Sequence, residues 1–283
     1  MRILVVTSGS QHSEAAVLLG AQLLQYMQQA KKETRLVILT TIKRENEKAQ
    51  AEEILAQALS FLPLGMTGLD IRIRIGNPVE KIVQEARQDK FDLVIMGWRP
   101  ATPLLGPILG SIPERILGLS PCPIVIAKGN AGNLKRILIC DSGVPTDSLP
   151  ERVLACLPDL FTEYCNVTIL HVMSQISAGP GVLGWQLRAS AEELIQAHTP
   201  EGEILARDVK ILGGAKIHTH PKVRHGLVVD EILAEAKESD YGVIIIGSHR
   251  AEAGGHFLLD DLAHQIITRS DRPVMVVQRR PAT

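Results

Sequence analysis

At 283 residues the chain is longer than one ordinary domain, and length alone points to two units of roughly 100–150 residues each. Hydrophobic residues make up 45% of it but aromatics only 3%, so its cores must be filled by Ile, Leu, Val and Ala, which suits buried parallel sheets better than a β-sandwich. With 30 basic against 31 acidic residues there is no cationic excess to neutralise a phosphate backbone, which argues against nucleic acid as a partner.

The first apolar run, Ile3–Val6, meets a turn at Ser8, Gly9 and Ser10 after too few residues for a secretory leader or a membrane span, so a cytoplasmic chain without membrane insertion is expected. Short apolar runs then alternate with helical patterns. A helix over Ser13–Tyr26 is followed by a strand Leu36–Leu39, an amphipathic helix within Glu47–Leu62 that covers its own sheet, and a strand Ile71–Ile75. Next come the helix Pro78–Gln88, the strand Leu93–Met96, the helix Ser111–Leu117 and the strand Ile124–Ala127. Strands this apolar on both faces, joined by helices, predict an α/β doubly wound fold: five parallel strands in the order 3-2-1-4-5, with helices on both faces. Of the four cysteines, Cys122 and Cys140 fall in apolar runs that read as strands; no C-x-x-C spacing occurs, and Cys122, Cys140, Cys156 and Cys165 are expected as buried free thiols.

The chain then repeats itself. Residues 2–9, RILVVTSG, match 136–143, RILICDSG, at an offset of 134; residues 92–98 and 120–126 match 242–248 and 270–276 at an offset of 150. The second half therefore carries 16 extra residues, the difference between the offsets, expected in a surface loop near the Gly/Pro-rich stretch 177–184. The Gly/Asn stretch 129–133 reads as a linker, giving two domains at 1–130 and 134–283.

In a sheet of this winding, ligands bind beyond the carboxyl ends of the strands where the order reverses, so the residues after the first and fourth strands are the informative ones. Ser8 and Gly9 follow the first. Gly97 follows the fourth, and the loop after it ends at Gly110 and Ser111, where Ile112 leads into a helix. Ser111 as a helix cap leaves backbone N–H groups and the positive dipole end free to meet an anion, and Gly110 allows close approach; the plain alternative is an ordinary cap without a ligand.

The run Met96, Gly97, two residues, Pro100, nine residues, Gly110, Ser111 resembles the G-x2-G-x9-G-[ST] nucleotide loop of universal stress proteins, with Pro100 in place of the second glycine. The turn Gly76-Asn77-Pro78 and the run Ser120-Pro121-Cys122-Pro123 are similar to that family as well, and the likeness spans both halves. The resemblance implies ATP or AMP as cofactor, with Mg²⁺ as counter-ion: loop glycines and the Gly-Ser pair on phosphates and ribose, an Asp after the first strand on the nucleoside, and the end of the second strand on adenine. Carried over residue by residue, it gives Ser8 (at the Asp position), Gly9, Thr41, Met96, Gly97, Gly110, Ser111 and Ile112 in the first half, the main site. The second half has Asp141, Val172 after a family-like His171, and Gly247, but Asp260 and Asp261 stand where Gly-Ser belongs and would repel a triphosphate by several kcal/mol, taking unit charges about 4 Å apart at an effective dielectric near 20. The resemblance further implies a stress-response protein whose last strands, Ile124–Ala127 and Val274–Val277, meet about a pseudo-two-fold axis, making one chain a built-in dimer.

Other readings are weaker. Ser8 to Ser13 superficially resembles the S-G-G-x-D-S loop of ATP pyrophosphatases but lacks its second Gly and its Asp, and neither a Walker loop nor a dinucleotide fingerprint occurs. His218 and His220, with His225 beyond, share a strand face without Cys or carboxylate at ligand spacing, so they are expected as solvated edge residues rather than a metal site. Trp98 and Trp185 flank the loop and the Gly-rich insertion, where either could cover a base, but both are expected as surface aromatics. No nucleophile with an adjacent base stands by the loop, so the chain is not expected to be an enzyme. The competing function is a regulatory or scaffold module that binds no nucleotide and docks on an unidentified protein partner, with further self-association left open.

Overall fold

The computed structural model describes residues 1–98, 112–129, 132–143, 148–162, 165–174, 184–248, 251–253, 256–258 and 261–278; for 251–253, 256–258 and 261 only the backbone is described. The first half runs β1 (Arg2–Val6), α1 (Gln11–Gln29), β2 (Arg35–Ile42), α2 (Lys48–Ser60), β3 (Leu69–Ile75), α3 (Pro78–Gln88), β4 (Leu93–Gly97), α4 (Ile112–Leu119) and β5 (Ile124–Ala127). The second runs β6 (Asn133–Cys140), α5 (Leu149–Cys156), β7 (Asn166–Met173), α6 (Ala191–Gln196), α7 (Pro200–Gly214), β8 (His218–His225), α8 (Val228–Glu238), β9 (Tyr241–Ser248), β10 (Ala251–Ala253), β11 (His256–Leu258), α9 (Asp261–Arg269) and β12 (Val274–Gln278).

Ten strands form one sheet in the order β3-β2-β1-β4-β5-β12-β9-β6-β7-β8. Each half is parallel within itself and has the expected 3-2-1-4-5 winding. The halves join where β5 meets β12 antiparallel, with Val125 opposite Met275, as the pseudo-two-fold requires. Alternation of side chains across the pleat then splits the apolar residues into two cores. Ile3, Val5, Ile95, Val125, Ile137, Ile245 and Met275 face α1, α2, α5 and α7; Leu4, Val94, Ile126, Leu138, Ile244 and Val276 face α3, α4, α8 and α9. Both cores run through the joint, so neither face of it is open to water. Tyr26 of α1 crosses the same boundary: its hydroxyl bonds Thr162 Oγ1 and lies 3.0 Å from Cys165 Sγ.

Several expectations need correcting. Cys122 lies in the turn before β5, not in a strand, and like Cys156 it is only half-buried, whereas Cys140 and Cys165 are buried; all four are free. Burial of the Cys122 thiol nonetheless pushes its pKa up to about 12, so it carries no thiolate at neutral pH. The extra length of the second half is not loop alone. Residues 175–183 lie outside the described residues, but they lead to a whole helix, α6, closed by a reciprocal Ser190–Glu193 capping box. The second half keeps the expected five parallel strands and adds a separate antiparallel hairpin, β10–β11, between β9 and α9.

Each sheet edge carries a buried carboxylate that the hydrophobic pattern hides. Glu85 of α3 accepts from Arg72 Nη1 at 2.5 Å and from Arg74 Nε at 2.6 Å. At the other edge Glu235 of α8 accepts from Lys222 Nζ at 2.6 Å, Arg224 Nε at 2.8 Å and the Tyr241 hydroxyl at 2.8 Å. Long cationic side chains from the edge strands β3 and β8 thus fold over the sheet to meet α3 and α8, while their stems cover apolar surface.

Candidate functional site

The crevice predicted by the winding opens between β1 and β4, where Val6 pairs with Met96. Its floor is set by hydroxyls. Thr7 Oγ1 accepts the N–H of Gly9 at 3.3 Å, Ser10 caps α1 by accepting from Ser13 N, and Ser13 Oγ takes the N–H of Ser8 at 3.2 Å. Gly9 needs its missing side chain, having φ +72 and Ile54 of α2 lying over it. Ser8, Gly9 and Ser10 remain exposed, and Thr41 is half-buried near the end of β2. The strand backbone places Thr7, not Ser8, at the Asp position: Thr7 N donates to Leu39 O as Asp141 N donates to Leu170 O, and Gly9 and Gly143 share left-handed φ values of 72 and 79. The repeat aligns the same pair, Thr7 with Asp141 at the offset of 134, and Thr7 is 4% exposed.

Gly97 closes β4 against the first turn of α1. A methyl group there would collide with the backbone of His12 and approach Ser13 N. Gly97→Ala is therefore expected to cost about 2 kcal/mol by forcing α1 off the sheet, read as a lowered urea midpoint with an unchanged slope. Met96 is buried, so it offers a ligand only its backbone; Ile112 begins α4 and is 46% exposed. Gly110, Ser111, Pro100 and Asp260 lie outside the described residues. Beside the crevice a groove of about 710 Å³ runs over the ends of β4 and β5, bordered by Gln11, His12, Trp98 and Lys128 and, from the second half, Ser270 and Asp271.

The second half fills the corresponding space with its own side chains. Asp141 is 5% exposed and spends both oxygens inside the fold: Oδ1 accepts from Gly143 N at 2.7 Å, Oδ2 from Leu149 N at 3.1 Å, and Arg207 Nη2 stands 3.7 Å from Oδ2. Asp208, wholly buried on α7, accepts from Ser148 Oγ and from Arg207 Nε, each at 2.9 Å. Burial, aided by the charge of Asp141, raises its pKa to about 7. At Gly247 the missing side chain leaves room for Arg152 of α5, whose Nη2 would stand 2.6 Å from a Cβ and whose Nη1 donates to Val277 O at 3.1 Å. Val172 lies one residue before the end of β7 and is half-buried. Arg152, Arg207 and Asp208 escaped the sequence reading; only Asp208 left a signal, since Leu205, Asp208 and Leu212 fall on one helical face and all three are buried.

A second missed group bridges the halves. Trp98, 4% exposed rather than a surface aromatic, packs edge-on against His264 of α9 with ring centroids 5.9 Å apart, and His264 Nε2 lies 3.3 Å from Glu114 Oε1 of α4. Trp185 is 46% exposed. His218 and His220 lie on the edge strand β8, and His225 turns its Nε2 to Ala189 O at 3.0 Å. Among the described residues no cluster of three or more His, Cys, Asp or Glu is arranged to hold a metal, and no helix is long and apolar enough to cross a membrane.

Compared with known proteins, the chain matches the model of the Universal stress protein family twice, over residues 1–128 and 135–278. It is 31% identical over 87 residues to a universal stress protein of Thermus aquaticus encoded 3' of a QAH/OAS sulfhydrylase, covering 31% of this chain and 61% of that protein. It is 32% identical over 79 residues to the stress response protein NhaX of Bacillus subtilis, covering 28% of this chain and 48% of that one. The matches thus span about half to three fifths of the curated relatives' lengths. Among solved structures it is similar to a universal stress protein from Archaeoglobus fulgidus, with TM-score 0.70 and 20% identity over 99% of this chain and 98% of that one.

Proposed function

The chain belongs to the universal stress protein family in both of its halves, and on that premise we propose that it is a stress-response regulator that binds one adenine nucleotide, ATP or AMP, in its first half without rapid turnover. The observation that carries this is the asymmetry of the two crevices. In the first half Ser8 and Gly9 are exposed beside Gly97, next to an open groove of a size suited to a nucleotide. In the second, Arg152 occupies the space over Gly247 and Asp141 is bound to Gly143, Leu149 and Arg207. Gly97, Gly110 and Ser111 would supply backbone donors and a hydroxyl to the phosphates, with Mg²⁺ balancing their charge and Thr41 at the base. We take 1–130 as the binding domain and 134–283 as its non-binding counterpart, and the setting as cytoplasmic.

The scaffold reading has one observation of its own. Ile54 closes over Gly9 and leaves a cavity of only about 10 Å³ between α1 and α2, room for one water, so the base must enter on the β4 side or displace Ile54. Calorimetric titration of ATP with Mg²⁺ separates the two. The nucleotide reading expects one site per chain, lost in Gly110→Asp and kept in Asp141→Ala, and a thermal shift matching about 2.7 kcal/mol at a hundredfold excess over Kd. No heat and no shift would leave the scaffold reading standing.

A further inference from the structure

We propose that Cys122 and Cys156, one from each half, are a redox pair that a hydroperoxide converts into a disulfide tying the two halves together. Of the four cysteines only these two are half-buried; Cys140 and Cys165 are enclosed in the cores. They come from distant parts of the chain, the turn before β5 and the end of α5, yet both open on one cavity of about 290 Å³ where β4 and β5 begin. They are near enough for charge on Cys156 to act on Cys122. Among the described residues no third ligand joins them in a metal-holding cluster, which leaves thiol chemistry as what the pair can do.

Their surroundings give them different roles. Burial holds the Cys122 thiol protonated at neutral pH, so it is a poor first nucleophile, and Cys156 meets the oxidant. The Cys156 thiolate attacks one oxygen of the hydroperoxide: an S–O bond forms, the O–O bond breaks, and the alcohol or water departs with a proton from solvent, leaving a sulfenic acid. Cys122 Sγ then attacks Cys156 Sγ; the S–S bond forms, the S–O bond breaks, and the Cys122 proton leaves with hydroxide as water. Two thiols are oxidised by two electrons and the peroxide is reduced by the same two. The second step is intramolecular, so a small thiolate fraction at Cys122 suffices. The product ties the turn before β5 to α5, the helix whose Arg152 fills the space at Gly247 and whose cap, Ser148, bonds Asp208. Oxidation therefore fixes the helix that closes the crevice of the second half, whatever the first half binds.

The test is hydrogen peroxide in modest excess over the full chain, then alkylation in denaturant and peptide mass spectrometry without reductant. Two of the four thiols are expected to be lost, with Cys122 and Cys156 recovered in one cross-linked species. Cys165→Ala should keep the cross-link, whereas Cys122→Ser and Cys156→Ser should each abolish it. Dimedone, which traps sulfenic acids, reads the order of events: Cys122→Ser should accumulate the adduct on Cys156, and Cys156→Ser should leave Cys122 unlabelled. The oxidised chain, with a long loop closed, should melt several degrees above the reduced one. An unchanged thiol count, oxidation of either cysteine without the cross-link, or disulfides only between chains would overturn the proposal. Sulfenic acid on Cys122 would overturn the assigned order, and a cross-linked chain melting no higher than the reduced one would overturn the anchoring of α5.

Discussion

Replacing Glu235 with Ala is expected to lower the free energy of unfolding by about 3 kcal/mol, the low end for breaking a buried ion pair from one side. The carboxylate is wholly buried and is held by Lys222, Arg224 and Tyr241. Burial on its own would raise its pKa, but the bonds from Lys222, Tyr241 and Arg224 outweigh this and hold it below the usual range. A depressed carboxylate contributes its stability above the unfolded-state pKa and loses it as pH falls through the folded one, so the variant and the parent should converge below about pH 4. The cost stays at the low end because Arg224 keeps Glu231 and Glu238, and Lys222 is 43% exposed. Asp230 serves as the control: its pair with Arg269 is about half exposed on both sides, so Asp230→Asn should cost no more than about 0.5 kcal/mol. Equal urea midpoints for the two variants would show that the sheet edge gains nothing from its buried charge.

The fold was readable because its determinants are local or repetitive. Runs such as Leu93–Met96 are apolar on both faces, which only a sheet covered by helices on both sides satisfies, and the repeated RIL motif marks where the winding restarts. The antiparallel meeting of β5 and β12 followed from the family resemblance and not from any residue pattern. What escaped was decided at long range. Trp98 after a glycine looks like a loop aromatic; it is buried because α9 of the other half lies on it. Arg152 reads as the solvent face of a helix, yet Gly247 makes a pocket for it. Glu85 and Glu235 had a signal, a partner arginine eleven residues earlier in each half, but a cation eleven residues before a glutamate is too common to weigh without the strand and helix that bring the two together.

Asp208→Asn is expected to make the protein more stable than the parent at pH 8, an unusual sign for a change in a buried, hydrogen-bonded residue. Two carboxylates, Asp141 and Asp208, share one guanidinium, that of Arg207; among the described residues they also face the backbone N–H groups of Gly143 and Leu149, the Ser148 hydroxyl and, on the Asp141 carbonyl, the His171 ring. One proton is therefore retained, and Asp208 holds it to about pH 7 because of burial and the neighbouring charge of Asp141. In an unfolded chain the same carboxyl lets go near pH 4. Between these values the folded state binds one proton more, so stability falls as pH rises through this window and levels off above pH 7. The full span corresponds to at most about 4 kcal/mol at roughly 1.4 kcal/mol per pKa unit. Asparagine reproduces the protonated form: its carbonyl keeps Ser148 and Arg207, and its amide takes the place of Oδ2, which accepts no bond in the fold, and donates toward Asp141. Melting temperatures from pH 5 to 8 should thus fall more steeply for the parent than for Asp208→Asn, with the variant ahead by about 2 kcal/mol or more at the alkaline end. Parallel curves would mean that Asp208 is ionised throughout, and that Arg207 alone balances both acids at the closed crevice of the second half.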